Sequence, residues 1–225
     1  MIGEELLLCG SFQPKGIIDA PLGPVSSNWT RDKRVSSAKN GGNGVVFRTL
    51  WHNKQVAVKV FKDPSVMTRE LEIYETALAR MNMIPTLLLG LEDRLVFEYC
   101  ALDLYDARKA FGPPSTRVAA EIMHRLIQAF AFLAGAGWVY TDLKPENVVF
   151  DRHGRLKLCD VSSFCRASLA CRSNCILTAM FCPPELFDLF TPCTFGTTAS
   201  VWQLGVTALD LMTGNTVFPN FMTKP

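Results

Sequence analysis

Residues 45–51 (VVFRTLW) and 55–61 (QVAVKVF) are rich in β-branched and aromatic side chains, and they flank His52, Asn53 and Lys54. Such runs around a turn that tolerates asparagine predict a β-hairpin. Asp63 and Pro64 then form a good cap and first-turn pair. Beyond them Glu70, Ile73, Tyr74, Ala77, Leu78 and Met81 recur at helical spacing, which predicts an amphipathic helix. Two further strand-like runs, residues 86–91 (TLLLGL) and 94–99 (RLVFEY), surround a short turn at Glu92 and Asp93. Gly112, Pro113, Pro114 and Ser115 break the chain before a long helical stretch that reaches about Leu133. The order is β-rich and then helix-rich, an α+β arrangement, with no internal repeat or low-complexity tract. Residues 1–32, punctuated by Pro14, Pro21 and Pro24, read as an irregular N-terminal extension.

Composition narrows the picture modestly. With 225 residues and 48% apolar composition, the chain can bury a core large enough for one sizeable domain or two lobes. Its 23 basic and 21 acidic side chains leave a net charge of +2, too weak a field to recruit nucleic acid or an anionic membrane. The opening MIGEELLLCG lacks the basic start of a secretory signal, so an intracellular protein, cytoplasmic or nuclear, is expected. The uncharged run at residues 126–140 is shorter than the ~20 apolar residues a spanning helix needs, so no membrane span is expected. The eight cysteines are then reduced thiols. Cys165, Cys171, Cys175 and Cys182 cluster without the paired C-x-x-C spacing of a zinc site.

The most specific string is Tyr140-Thr141-Asp142-Leu143-Lys144-Pro145-Glu146-Asn147, and Asp160 follows it in LKLCDVSSF. This resembles the catalytic loop of eukaryotic-type serine/threonine protein kinases, H-R-D-L-K-x-x-N, with Asp160 at the place of the D-F-G aspartate. The resemblance implies ATP-dependent phosphoryl transfer to serine or threonine hydroxyls of protein substrates. Asp142 would accept or orient the proton of the attacking hydroxyl, and Lys144 would lie beside the transferring phosphate. Asn147 and Asp160 would hold Mg²⁺, for which Mn²⁺ can stand in.

Other segments fall in the family's order. Val56-Ala57-Val58-Lys59 is similar to its V-A-I-K strand, whose lysine holds the α- and β-phosphates and pairs with a helix glutamate. Glu70 is the expected partner, because it shares a face with Ile73 and Tyr74 while Glu72 and Glu75 face elsewhere. In SAKNGGNGVVF, Gly41 and Gly44 take the second and third glycine positions of the phosphate-covering loop. Lys39 stands at the first glycine position and Val46 at the valine. Phe97-Glu98-Tyr99-Cys100 resembles the connector between lobes, where main-chain groups of Glu98 and Cys100 would bind adenine. The implied nucleotide-binding set is thus Gly41, Gly44, Val46, Ala57, Lys59, Glu70, Glu98 and Cys100. Pro183-Pro184-Glu185 resembles A-P-E, and Thr178 takes the position of a threonine typical of serine/threonine kinases. Ser200-Val201-Trp202-Gln203-Leu204-Gly205 resembles D-x-W-x-x-G, with Ser200 in place of the aspartate that braces the catalytic loop. Taken singly, each residue has an ordinary reading, such as a strand-end lysine or a turn aspartate. Their joint order at the family's spacing carries the functional one.

The resemblance implies a bilobal fold. A five-stranded N-lobe with one helix spans residues 33–98, and a mainly helical C-lobe spans 99–225. Thr141 replaces the arginine that pairs with a phosphorylated activation loop, Tyr140 replaces histidine, and Val161 and Ser162 replace Phe and Gly of D-F-G. About twenty residues follow Gly205, fewer than the family's remaining helices need, so either the C-lobe is unusually short or the chain is a fragment or a degenerate copy whose exposed apolar surface a regulatory partner would cover. The alternative reading is a pseudokinase, a binding or scaffolding module that keeps the fold without transferring phosphate. Eroded motifs and a compact lower lobe are similar to divergent kinases encoded by large DNA viruses such as herpesviruses.

Overall fold

Where the chain runs Lys54 to Phe61, each second residue turns the same way, and Val56 and Val58 meet Trp51 and Val96 in one buried cluster. This strand is the third of five in an antiparallel sheet: β1 (Lys39–Gly41), β2 (Gly44–Trp51), β3 (Lys54–Phe61), β4 (Leu87–Gly90) and β5 (Arg94–Glu98). Their order in the sheet is β1-β2-β3-β5-β4, and their number matches the expected five. The computed structural model describes residues 39–41, 44–76, 82–169, 177–186 and 194–218. The N-terminal extension, the predicted helix positions Ala77, Leu78 and Met81, and Cys171 and Cys175 lie outside these residues.

The β2–β3 turn is His52-Asn53, and both residues adopt positive φ (48° and 61°), a left-handed pair that asparagine tolerates well. Helix α1 (Pro64–Tyr74) starts as its cap chemistry dictates: the Asp63 carboxylate accepts the Ser65 N–H at 2.8 Å and proline sits in the first turn. Its inward face presents Glu70 and Ile73, and the Tyr74 hydroxyl donates to the Pro85 carbonyl at 2.8 Å.

Below the sheet, β6 (Leu102–Asp103) leads into α2 (Leu104–Phe111), capped by the Asp103 carboxylate, and Ser115 caps α3 (Thr116–Gly135). By length and composition α3 alone among the described helices could cross a bilayer. Here Val118, Ala119, Ile122, Leu126, Phe130 and Leu133 instead make a buried stripe at helical spacing. Short strands β7 (Trp138–Tyr140), β8 (Val148–Phe150), β9 (Leu156–Leu158) and β10 (Phe164–Arg166) follow, then α4 (Thr197–Thr213). β6, β8 and β9 form one small sheet, and β10 pairs with β7. The main core joins Ile73 of α1 to α3, β7, β8, Leu143, Val161 and Leu211. Arg108 of α2 is bound to the buried Asp210 carboxylate of α4, and also donates to the Asp210 carbonyl at 3.2 Å. Ile127 on α3 and Val201, Leu209 and Met212 on α4 remain exposed.

Candidate active site

β3 carries Lys59 beneath the sheet, and α1 brings Glu70 against it as an ion pair; the side chains are 11% and 1% exposed. The Lys59 ammonium also reaches Asp160 Oδ1 at 3.2 Å. Burial works to lower the Lys59 pKa, but the Glu70 and Asp160 carboxylates outweigh it and hold the ammonium above its ordinary value. Burial dominates at Glu70, whose pKa is pushed up despite Lys59. Asp160 itself sits at φ 54°, ψ 66°, a left-handed conformation that is uncommon for non-glycine residues, that aspartate enters more readily than most, and that its surroundings help to hold. Those surroundings include Ser162, whose hydroxyl donates to Asp160 Oδ1 at 2.9 Å and whose backbone N–H donates to the Glu70 carboxylate.

Residues 141–147, between β7 and β8, bring the second group together. The Lys144 ammonium donates to Asp142 Oδ2 at 2.6 Å and to Thr178 Oγ1 at 2.7 Å, and the Thr178 hydroxyl donates to Asp142 Oδ1 at 2.7 Å. Asn147 Nδ2 donates to the Asp142 carbonyl at 2.8 Å and to Oδ2 at 3.0 Å. The Cys159 N–H donates to the Asn147 carbonyl at 2.9 Å, which sets Asp160 beside this loop. Among the described residues no group of three or more His, Cys, Asp or Glu could hold a metal ion by itself. One carboxylate (Asp160) and one amide (Asn147) instead suit a hard cation whose remaining ligands are phosphate oxygens and water.

The loop is stitched down by residues that depart from the family strings. The Tyr140 hydroxyl donates to the Cys159 carbonyl at 2.6 Å, and its ring packs 4.7 Å from that of Phe164. Burial raises the Tyr140 pKa far above the usual phenol range, so the donor stays protonated. The Thr141 N–H and hydroxyl both donate to the Ser163 carbonyl, at 2.9 and 3.2 Å. Ser200 does not reach the loop; its hydroxyl donates to Gly196 of its own helix at 3.5 Å. Gln203, one turn later, does: Nε2 donates to the Thr141 carbonyl at 2.8 Å and Oε1 accepts the Leu143 N–H at 3.3 Å. Sequence reasoning missed Gln203, and its one signal was a polar residue in the apolar run VWQLGV.

In the sheet register Val46 lies opposite Lys59 and Ala57 opposite Phe97. Gly44, paired with Gly41, is required by the neighbouring strand. A Cβ there would lie 2.2 Å from the Val60 carbonyl oxygen. Glu98 has a side-chain task that the main-chain expectation did not include. Its Oε1 accepts the Thr86 N–H at 2.7 Å and the Thr86 hydroxyl at 2.9 Å, and it is ion-paired with the buried Lys157 of β9. Cys100 and Cys159 carry thiols whose pKa burial raises, Cys159 up to about 12.

The sequence matches the protein kinase domain family over residues 39–224. It is 25% identical over 201 residues to cyclin-dependent kinase-like 4 of Mus musculus, covering 83% of this chain and 58% of that protein. It is 28% identical over 214 residues to glycogen synthase kinase 1 of Pyricularia oryzae, covering 84% and 53%. Over 123 residues it is 30% identical to serine/threonine-protein kinase ppk11 of Schizosaccharomyces pombe, covering 53% and 38%. The chain spans about half the length of the first two of these relatives.

Proposed function

Because this chain belongs to the protein kinase domain family, we propose that it transfers the γ-phosphate of ATP to serine or threonine hydroxyls of protein substrates. The observation that carries the reading is the closed three-way contact of Asp142, Lys144 and Thr178, set beside the Lys59–Glu70–Asp160 chain. A hydroxyl entering at Asp142 meets a carboxylate able to accept its proton, with the Lys144 ammonium alongside to stabilise charge on the transferring group. Lys59, oriented by Glu70, is placed to hold the α- and β-phosphates. Asn147 and Asp160 are the residues that would hold Mg²⁺, which when bound neutralises charge across the phosphates. The preference for serine and threonine over tyrosine draws support from the Lys144–Thr178 contact, the pair typical of that subgroup.

A second reading, a nucleotide-binding module without transfer, is favoured by one detail: Lys59 and Ser162 both engage Asp160 Oδ1, an oxygen that a cation would otherwise take. Labelled γ-phosphate transfer to generic protein substrates separates the two, run with Mg²⁺ and then Mn²⁺ on wild type and Asp142→Asn. Transfer by wild type that falls steeply, to a small measurable residue, in the variant is the expected result. A folded wild type that binds ATP but transfers nothing with either metal would leave the second reading standing.

A further inference from the structure

The centre of α4 places a primary amide where an apolar side chain would be usual, since Gln203 is 0% exposed. A buried amide brings donors and an acceptor out of water, so its partners indicate what it is for. Both are backbone groups of the loop: the Thr141 carbonyl accepts from Nε2 at 2.8 Å, and the Leu143 N–H donates to Oε1 at 3.3 Å. The Thr141 carbonyl belongs to the peptide plane before Asp142, and the Leu143 N–H to the plane after it. Holding both planes fixes the two backbone dihedrals of Asp142, and with them the direction in which its carboxylate leaves the chain. Asn147 Nδ2 grips the second plane from its other side, at the Asp142 carbonyl. A reversed amide would set N–H against N–H and carbonyl against carbonyl, so the two contacts are consistent in only one orientation.

We infer that Gln203 is a positioning residue for phosphoryl transfer: clamping the peptide planes on either side of Asp142, it replaces the missing carboxylate brace at Ser200. The inference deepens the phosphotransfer reading and rests on it. Gln203 touches no reacting atom, so its removal acts on turnover through Asp142 and leaves nucleotide binding at Lys59 alone.

Gln203→Met keeps the length and volume of the side chain and removes both hydrogen bonds. Transfer kinetics, ATP affinity and amide exchange are measured on wild type, Gln203→Met, Asp142→Asn and the double variant. For Gln203→Met we expect kcat to fall on the order of 100-fold, the cost of a misplaced reacting group. ATP affinity is expected to stay within about twofold, because the variant leaves the phosphate-holding residues in place. In the Asp142→Asn background the same change adds no further loss, since residues that act as one unit are not additive. A kcat within about threefold of wild type, or an equal loss in both backgrounds, would overturn the inference. Exchange at the Leu143 amide judges the clamp independently of activity. It is protected in wild type and exchanges at least about tenfold faster in Gln203→Met. If Gln203→Met does not fold, an unprotected Leu143 amide in wild type still overturns the clamp. A wild type that transfers no phosphate while its Leu143 amide is protected defeats the functional reading and not the clamp.

Discussion

Lys59 stands between two carboxylates, Glu70 and Asp160, so its removal has two consequences that can be measured apart. Lys59→Met deletes the group proposed to hold phosphate and strands Glu70 in the interior. We expect transfer to fall by at least about 100-fold and the urea unfolding free energy to fall by about 3 kcal/mol. Adding Glu70→Gln removes the stranded charge, so stability recovers in the double variant while transfer does not. Recovery of both would assign Lys59 a purely structural role. Lys59, Glu70, Asp142, Lys144, Asn147 and Asp160 stood out in the chain because each sits in a short string at fixed spacing, and the fold brings Lys59 to Glu70 and Asp160, and Asp142 to Lys144 and Asn147. The side-chain roles of Gln203 and Glu98 did not. Thr141 and Leu143 for Gln203, and Lys157 for Glu98, lie about sixty residues away, and nothing in a local pattern announces a contact that only tertiary packing creates. Tyr140, Thr141 and Ser162 stood out as departures, yet the bonds with which they hold the loop and Asp160 became visible only in three dimensions.

Among the elements, the hairpin of β2 and β3 and helices α1 and α3 were legible because their periodicity and caps are strong and local. Strands β6 to β10 are two or three residues long, too short to show a period, and are strands only because a neighbour pairs with them. Gly44 belongs to this scale. The expectation of a glycine that lets backbone approach phosphate meets a prior constraint, the Val60 carbonyl against its α-carbon. Gly44→Ala is expected to cost about 2 kcal/mol by forcing β2 from β3. A thermal melt without nucleotide reads this directly, and an unchanged melting temperature would return the glycine to a purely ligand-facing role. Asp63→Ala removes the cap at the start of α1, and a thermal melt should show a lowered melting temperature. Because α1 carries Glu70, part of that destabilisation should reappear as weaker ATP binding.

Across the whole molecule, Glu98 ties the sheet to the lower lobe through Thr86 on one side and Lys157 on the other. Lys157 is 1% exposed, and Asp151 Oδ2 lies 3.9 Å from it. Glu98→Ala therefore leaves a buried ammonium with a distant partner, and we expect a loss of about 3 kcal/mol. The exposed Arg125–Glu121 pair on α3 provides the contrast, with Glu121→Ala costing less than about 0.5 kcal/mol. Equal urea midpoints for the two variants would refute the tie. Alkaline pH probes the core as a unit. Burial raises the pKa values of the Cys100 thiol and the Tyr74 and Tyr140 phenols. The unfolded chain sheds these protons near their ordinary values of 9.0 and 10.0, while the fold retains them. Above pH 9 the unfolded state thus binds fewer protons, and stability must fall as pH rises. The urea midpoint should decline steadily from pH 8 to 10.5; a flat profile would mean that water reaches these groups.

The stitches that hold the Asp142 loop, from Tyr140, Thr141 and Gln203, are all hydrogen bonds between uncharged groups. Dissolved ions screen charges and leave such bonds nearly untouched. A brace made through a carboxylate would loosen as salt rises, whereas these uncharged contacts are expected to hold from dilute buffer to molar salt. Salt that weakens the Lys144–Asp142 ion pair is therefore expected to leave the backbone beneath Asp142 in place.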